Sequence, residues 1–206
     1  MLSRSLRQGI LAAAISTIAV IFTGATASAG IIYDESVSGD LSGSFTAPTF
    51  ISLGVGANTV VGQMGPNGNT GAIGGNDADY FRFTLGSGET LDSISVDAYT
   101  FAPTDPGVSF FGYVMNVVFA GQGIADIDGF VLFNGASGDI LDDIAGGSLG
   151  AGDYAFWIQE TSANTVNYQL TFNTSRASDV PAPAVPLLLG IGLLCLQVSR
   201  FRVNHD

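Results

Sequence analysis

The sequence predicts an all-β protein: an antiparallel β-sandwich of jelly-roll type, flanked by an N-terminal signal helix and a C-terminal transmembrane helix. Three observations carry this expectation. Apolar and polar residues alternate with period two in several stretches between residues 80 and 173. Glycine, aspartate, asparagine and serine cluster between those stretches, and no amphipathic helix interrupts them. Short strands separated by frequent turns pair as antiparallel sheets, which bury their apolar faces against each other.

The elements follow in chain order. Residues 1–29 have the make-up of a secretory signal peptide: Arg4 and Arg7, an apolar run over 10–22, and Ala27-Ser28-Ala29 as the cleavage site before Gly30. Export through the Sec machinery is therefore expected. Residues 30–173 are assigned to the sandwich. Its first third, 36–76, holds ten glycines and predicts irregular chain, with only a weak strand at 46–53. Strands are expected at 80–85, 91–98, 110–120 and 166–173. Two further runs, 130–133 and 154–159, are apolar on both faces, as in strands covered on both sides. Residues 174–183 are small, polar and proline-bearing, the composition of a flexible stalk.

Residues 184–202 form the transmembrane segment with its basic stop, and 203–206 remain on the cytoplasmic side. The apolar run 184–198 has 15 residues, a helix of about 22 Å at about 1.5 Å per residue. That is short against the roughly 20 residues of a comfortable span, so the segment predicts a marginal, transient anchor in the inner membrane. Arg200 and Arg202 resist crossing the bilayer and set the orientation, leaving the first 180 residues outside.

Charge and composition exclude several function classes. The stretch 30–179 has two arginines against seventeen acids, a net charge of −15, and the chain contains no lysine. Such a surface repels nucleic acid and suits divalent cations or a saline exterior. The one cysteine, Cys195, and the one histidine, His205, both fall in the tail. The exported stretch therefore has no disulfide, no thiol or histidine catalysis and no ordinary zinc site. A carboxylate pair for glycoside hydrolysis stays compatible with so many acids but is not indicated by them. The expectation is a non-enzymatic protein.

Asp77 and Asp79 are candidate calcium ligands, with Asp142 and Asp143, and with Asp126, Asp128 and Asp153 as further companions. Calcium takes six to eight oxygens, so carboxylates from different turns must converge. The alternative is that these aspartates cap turns through their own side-chain hydrogen bonds. Tyr154, Phe156 and Trp157 present a similar choice between a sugar-stacking platform and the core of a strand.

Two resemblances add to this reading. Val180-Pro181-Ala182-Pro183-Ala184, the run Leu187-Leu188-Leu189-Gly190-Ile191-Gly192-Leu193-Leu194, and then Arg200 and Arg202 together resemble a PEP-CTERM sorting signal of the VPxPA subclass. That resemblance implies a Gram-negative bacterium that makes extracellular polysaccharide. It also implies recognition and cleavage of the tail by an exosortase, a membrane-embedded processing enzyme. Pro186, Cys195 and the extension 203–206 depart from the pattern. The sandwich, over about 34–173, resembles the bacterial pre-peptidase C-terminal (PPC) domain. The carrying motifs are Asp77-Ala78-Asp79-Tyr80-Phe81-Arg82-Phe83 with Gly88-Glu89-Thr90-Leu91, then Phe130-Val131-Leu132-Phe133-Asn134 with Asp142-Asp143, then 149–158. The stretch 100–123 is longer and more apolar than that family suggests. The likeness implies a non-catalytic module at the cell surface or in the extracellular matrix, structural or adhesive, or binding calcium or a polysaccharide.

Overall fold

The computed structural model describes residues 30–65, 77–102, 107–162 and 164–177. The signal segment with Ala27 and Ala29, the sorting motif at 180–184, and the apolar tail with Arg200 and Arg202 lie outside the described residues. Among the described residues no helix is long and apolar enough to cross a membrane.

Ten strands make two five-stranded sheets. The first sheet contains β1 (Gly30–Asp34), β3 (Gly56–Met64), β5 (Glu89–Ala102), β8 (Ser137–Asp139) and β10 (Thr165–Arg176), in the spatial order β1-β3-β10-β5-β8. The second contains β2 (Thr49–Phe50), β4 (Ala78–Leu85), β6 (Ser109–Val114), β7 (Gly129–Phe133) and β9 (Gly152–Glu160), in the order β2-β4-β9-β6-β7. The pairings are antiparallel except at one edge of each sheet, where β1 runs parallel to β3 and β2 parallel to β4. The helices are short: α1 (Glu35–Ser38) and α2 (Leu141–Ala145).

The period-two pattern explains how the sheets face each other. On β4, Phe81, Phe83 and Leu85 point inward, and on β9 Tyr154, Phe156 and Ile158 do the same. From the other sheet, Leu170 and Phe172 on β10 and Ile94 and Val96 on β5 meet them. Phe172 sits edge-on to Phe81, Phe83 and Phe156, at centroid distances of 5.7, 5.6 and 5.6 Å. Edge-to-face rings across the two layers make this a β-sandwich with one main core.

A second, smaller core covers the outer face of the second sheet. Tyr80, Ala155 and Trp157 pack there beneath Phe119 and Phe45, joined by a hydrogen bond from Phe119 N to Phe45 O. This locates the aromatic triplet of β9: Tyr154 and Phe156 lie in the main core, while Trp157, 6% exposed, is roofed on the outer face. They pack inside the domain rather than form a platform.

The expected strands at 80–85, 91–98, 154–159 and 166–173 are all present, each somewhat longer than the alternation indicated. Four features differ. The expected strand over 110–120 ends at Val114, because the following turns carry Phe119 back over the sheet. The run 130–133 is not doubly covered: β7 is an edge strand, with Phe130 and Leu132 exposed. β10 continues through Arg176, so the first residues assigned to the stalk are strand, paired with β5 as far as Glu89. The glycine-rich first third contains β1 and the nine-residue β3, which pairs with β10 over nine positions.

Gly62 shows why β3 tolerates its glycines. It lies opposite Tyr168, and a Cβ there would collide with the Tyr168 phenol. The missing side chain is the space in which a large aromatic from the neighbouring strand lies down.

Candidate functional site

The inward row of β4 does not end with its aromatics. Continued toward the start of the strand it reads Phe81, Asp79, Asp77, so two carboxylates occupy core-facing positions where the sandwich opens. Asp79 is fully buried and Asp77 is 3% exposed. The segment that begins the described chain covers this end. β1 lies along β3, and Asp34 caps α1 by accepting from Ser36 N at 2.9 Å. The first residue of α1, Glu35, thereby comes over the opening.

Glu35, Asp40 and Asp79 each place a carboxylate oxygen within 4.8 Å of the other two. Glu35 and Asp40 line a cleft of about 470 Å³ together with Asp34, Asp77 and Gln63; Asp79 is buried within reach of both but is not in the lining of the cleft. Neither described arginine, Arg82 nor Arg176, lines it.

Each acid is held by the fold. Glu35 accepts from the backbone N–H of Leu41 at 3.1 Å and of Gln63 at 2.6 Å, the second of which ties α1 to β3. Asp79 Oδ2 accepts the Tyr168 hydroxyl at 2.8 Å, and Tyr168 reaches it because Gly62 leaves room for its ring. Asp79 Oδ1 is buried and accepts no hydrogen bond from the described residues.

The electrostatics follow from burial and crowding. Burial pushes the Glu35 carboxyl up to about 7, against the lowering effect of its backbone hydrogen bonds and with the Asp40 charge adding to the rise. Asp79 is raised well above the usual carboxylate range, first by burial and then by the charges of Glu35 and Asp77. Tyr168 is raised too, by burial and then by Asp79. Like charges this close cannot all ionise without a counter-charge. The cluster either retains protons or takes a cation.

The expected calcium ligands divide. Asp77 lines the cleft, and Asp79, on whose carboxyl the Asp77 charge acts, belongs to the cluster with Glu35 and Asp40. Asp142 and Asp143 are not: they sit exposed on the first turn of α2, which packs against β7 and β5 at the opposite side of the second sheet. Asp126 caps its own turn by accepting from Gly123 N, Asp128 accepts from the more distant Met115 N, and Asp153 accepts the Thr84 hydroxyl. The turn-capping alternative thus describes Asp126, while Asp128 and Asp153 bond to distant parts of the chain. Glu35 and Asp40 complete the cluster without having been singled out in the sequence. Their signal was the acid-rich Asp34-Glu35…Asp40 directly after a short apolar run.

The residues present fit calcium. It is a hard cation that takes carboxylate oxygens in flexible numbers, and the cluster offers several such oxygens, one of them buried and without a donor among the described residues. Glu35, Asp40 and Asp79 would hold the ion, with Asp77 adding charge beside them. No protein-family model matches the chain, and none of the curated proteins compared with it matches either.

Proposed function

We propose that this chain is an exported, non-enzymatic surface protein, sorted and cleaved through its VPxPA-type tail and acting in an exopolysaccharide matrix. The tail carries this reading: a five-residue proline motif, an apolar segment and two arginines in fixed order, behind an N-terminal segment with a signal-peptide cleavage site. The processing partner is an exosortase-type enzyme, and the inner membrane holds the intermediate. Mass spectrometry of the mature C-terminus tests it. A chain ending between Val180 and Ala184 is expected in the extracellular fraction; an intact chain confined to the inner membrane would refute sorting.

A second reading concerns what the sandwich does, and the Asp79 carboxylate favours it. The domain is a calcium-binding module whose ion sits among Glu35, Asp40 and Asp79. The observation that carries it is the donorless, buried Asp79 Oδ1 inside a cluster of like charges. A ligand that binds only the folded state at about a hundred times its Kd adds roughly 2.7 kcal/mol of stability. Thermal melts in calcium and in chelator are therefore expected to differ by several degrees, and the difference is expected to vanish in Asp79→Asn. Identical melting in both conditions would exclude the ion.

A further inference from the structure

Seventeen acids surround two arginines in residues 30–179, so each arginine has an ample choice of partners. Arg176 takes one and pairs with Glu89. Arg82 takes none: among the described residues its guanidinium makes no ion pair and no hydrogen bond. It lies on the outer face of the second sheet, where β2 places Phe50 directly opposite it, and its guanidinium carbon stands 5.2 Å from the Phe50 ring centroid. A cation over an aromatic face is held in orientation, and its hydrogen-bonding edges remain free.

Arg82 lines a groove of about 520 Å³ together with Thr46, Ala47, Pro48, Val117 and Val118. No acid lines it. Its chemistry is thus one fixed positive fork, apolar walls on two loops, and an exposed hydroxyl at the rim. Phe50, 55% exposed, continues the apolar surface beside the arginine. A guanidinium fork matches a carboxylate bidentately, while the C–H faces of a sugar ring suit short aliphatic and aromatic walls.

We propose that this groove binds a carboxylate-bearing sugar residue, a uronic acid unit of an acidic polysaccharide, through Arg82. The surface-protein reading above supplies the place where such a polymer is met; the chemistry of the groove stands on its own and does not involve the acidic cleft. The domain's negative charge does not forbid the contact. At physiological ionic strength the field of distant acids decays over about 8 Å, and the groove itself carries none.

The test uses the full chain and immobilised polygalacturonate, its fully methyl-esterified form, dextran and polyglutamate, all in the presence of chelator. Retention on polygalacturonate is expected, with the neutral methyl ester and dextran held at least about tenfold more weakly. Arg82→Gln is expected to weaken polygalacturonate binding by about tenfold or more, with Arg82→Lys intermediate. Thr46→Glu, at an exposed rim position, sets a carboxylate against the ligand and is expected to do the same. Arg176→Gln removes the same charge elsewhere and is expected to bind like the parent. Thermal melts of each variant separate lost binding from lost folding.

Equal binding by Arg82→Gln and the parent overturns the proposal, as does absence of retention on polygalacturonate. Equal retention on polyglutamate overturns the sugar assignment in favour of an acidic peptide. If polymer binding fails while the mature C-terminus is found cut at 180–184, the groove assignment falls and the sorting reading stands.

Discussion

Asp79 and Glu160 are both fully buried acids, on neighbouring strands β4 and β9, at the same end of the sandwich. Their surroundings differ. Glu160 accepts from the Ser109 hydroxyl at 2.6 Å, the Tyr99 hydroxyl at 3.1 Å and the Ser162 backbone N–H at 2.8 Å. Among the described residues Asp79 has one donor, Tyr168, and two further carboxylates for company. Burial alone therefore says little about an acid's role. A buried carboxylate surrounded by donors is a joint in the structure; one surrounded by other carboxylates lacks something, and a proton or a cation supplies it.

The largest expected effect tests the structural side of that contrast. Glu160→Ala leaves the buried Ser109 hydroxyl and the half-buried Tyr99 hydroxyl without their carboxylate acceptor and should cost about 3 kcal/mol in denaturant unfolding. A loss under about 1 kcal/mol would show that its donors are as dispensable as Asp79's missing ones.

The opposite sign is expected at the cleft. In chelator, Asp79→Asn removes a charge from a crowded, buried group and should stabilise the fold by about 1–2 kcal/mol. Destabilisation by that substitution would make Asp79 a joint like Glu160.

The same contrast has a pH signature. Glu35 rises from 4.5 in the unfolded chain to about 7 when folded, and Asp79 is also raised, so the folded state binds protons more tightly. Their stabilising contribution is complete below the unfolded pKa and is lost as pH rises through the folded one. Without divalent cation, the melting temperature should therefore contain a component that falls between about pH 4.5 and pH 7. Calcium should remove that fall, and Asp79→Asn should flatten it; a parent profile flat across this window would contradict the cluster.

Smaller effects sharpen the boundary of the site. Tyr168→Phe deletes the single donor to Asp79 and should cost about 1 kcal/mol. Asp142→Asn combined with Asp143→Asn should change stability by less than about 0.5 kcal/mol and leave any calcium-dependent melting shift intact.

Half of the cleft was legible in the sequence. Asp77 and Asp79 stand out as acids two residues apart just before a clear strand, but that the strand reaches back to Ala78 and turns this row toward the core was not legible. Glu35 and Asp40 were not legible, since their arrival depends on β1 lying parallel along β3. Parallel pairing across an intervening segment of chain has no local signature, unlike a hairpin with its turn. β3 itself was hidden because Gly62 breaks its alternation, and the reason for that glycine, Tyr168, lies more than 100 residues away. The strands of the later chain were legible because their inner rows are unbroken aromatics and aliphatics. β7 misled because edge position depends on the partner a strand lacks, which its own residues do not state. Asp142 and Asp143 resembled ligands only by residue type, and the first turn of α2 accounts for them as acids at a helix start.

The central position of β10 in its sheet has a mechanical consequence. It is the last described strand before the tail, and it is gripped on both sides, by β3 over nine paired positions and by β5 over twelve. A pull on the chain beyond Arg176 runs along the strand, while the hydrogen bonds lie across it. Both ladders are then loaded in shear, many bonds at once, instead of opening one by one as a peeled edge strand would. Any load arriving from the C-terminal side would therefore meet the sandwich at a strand held by two long ladders.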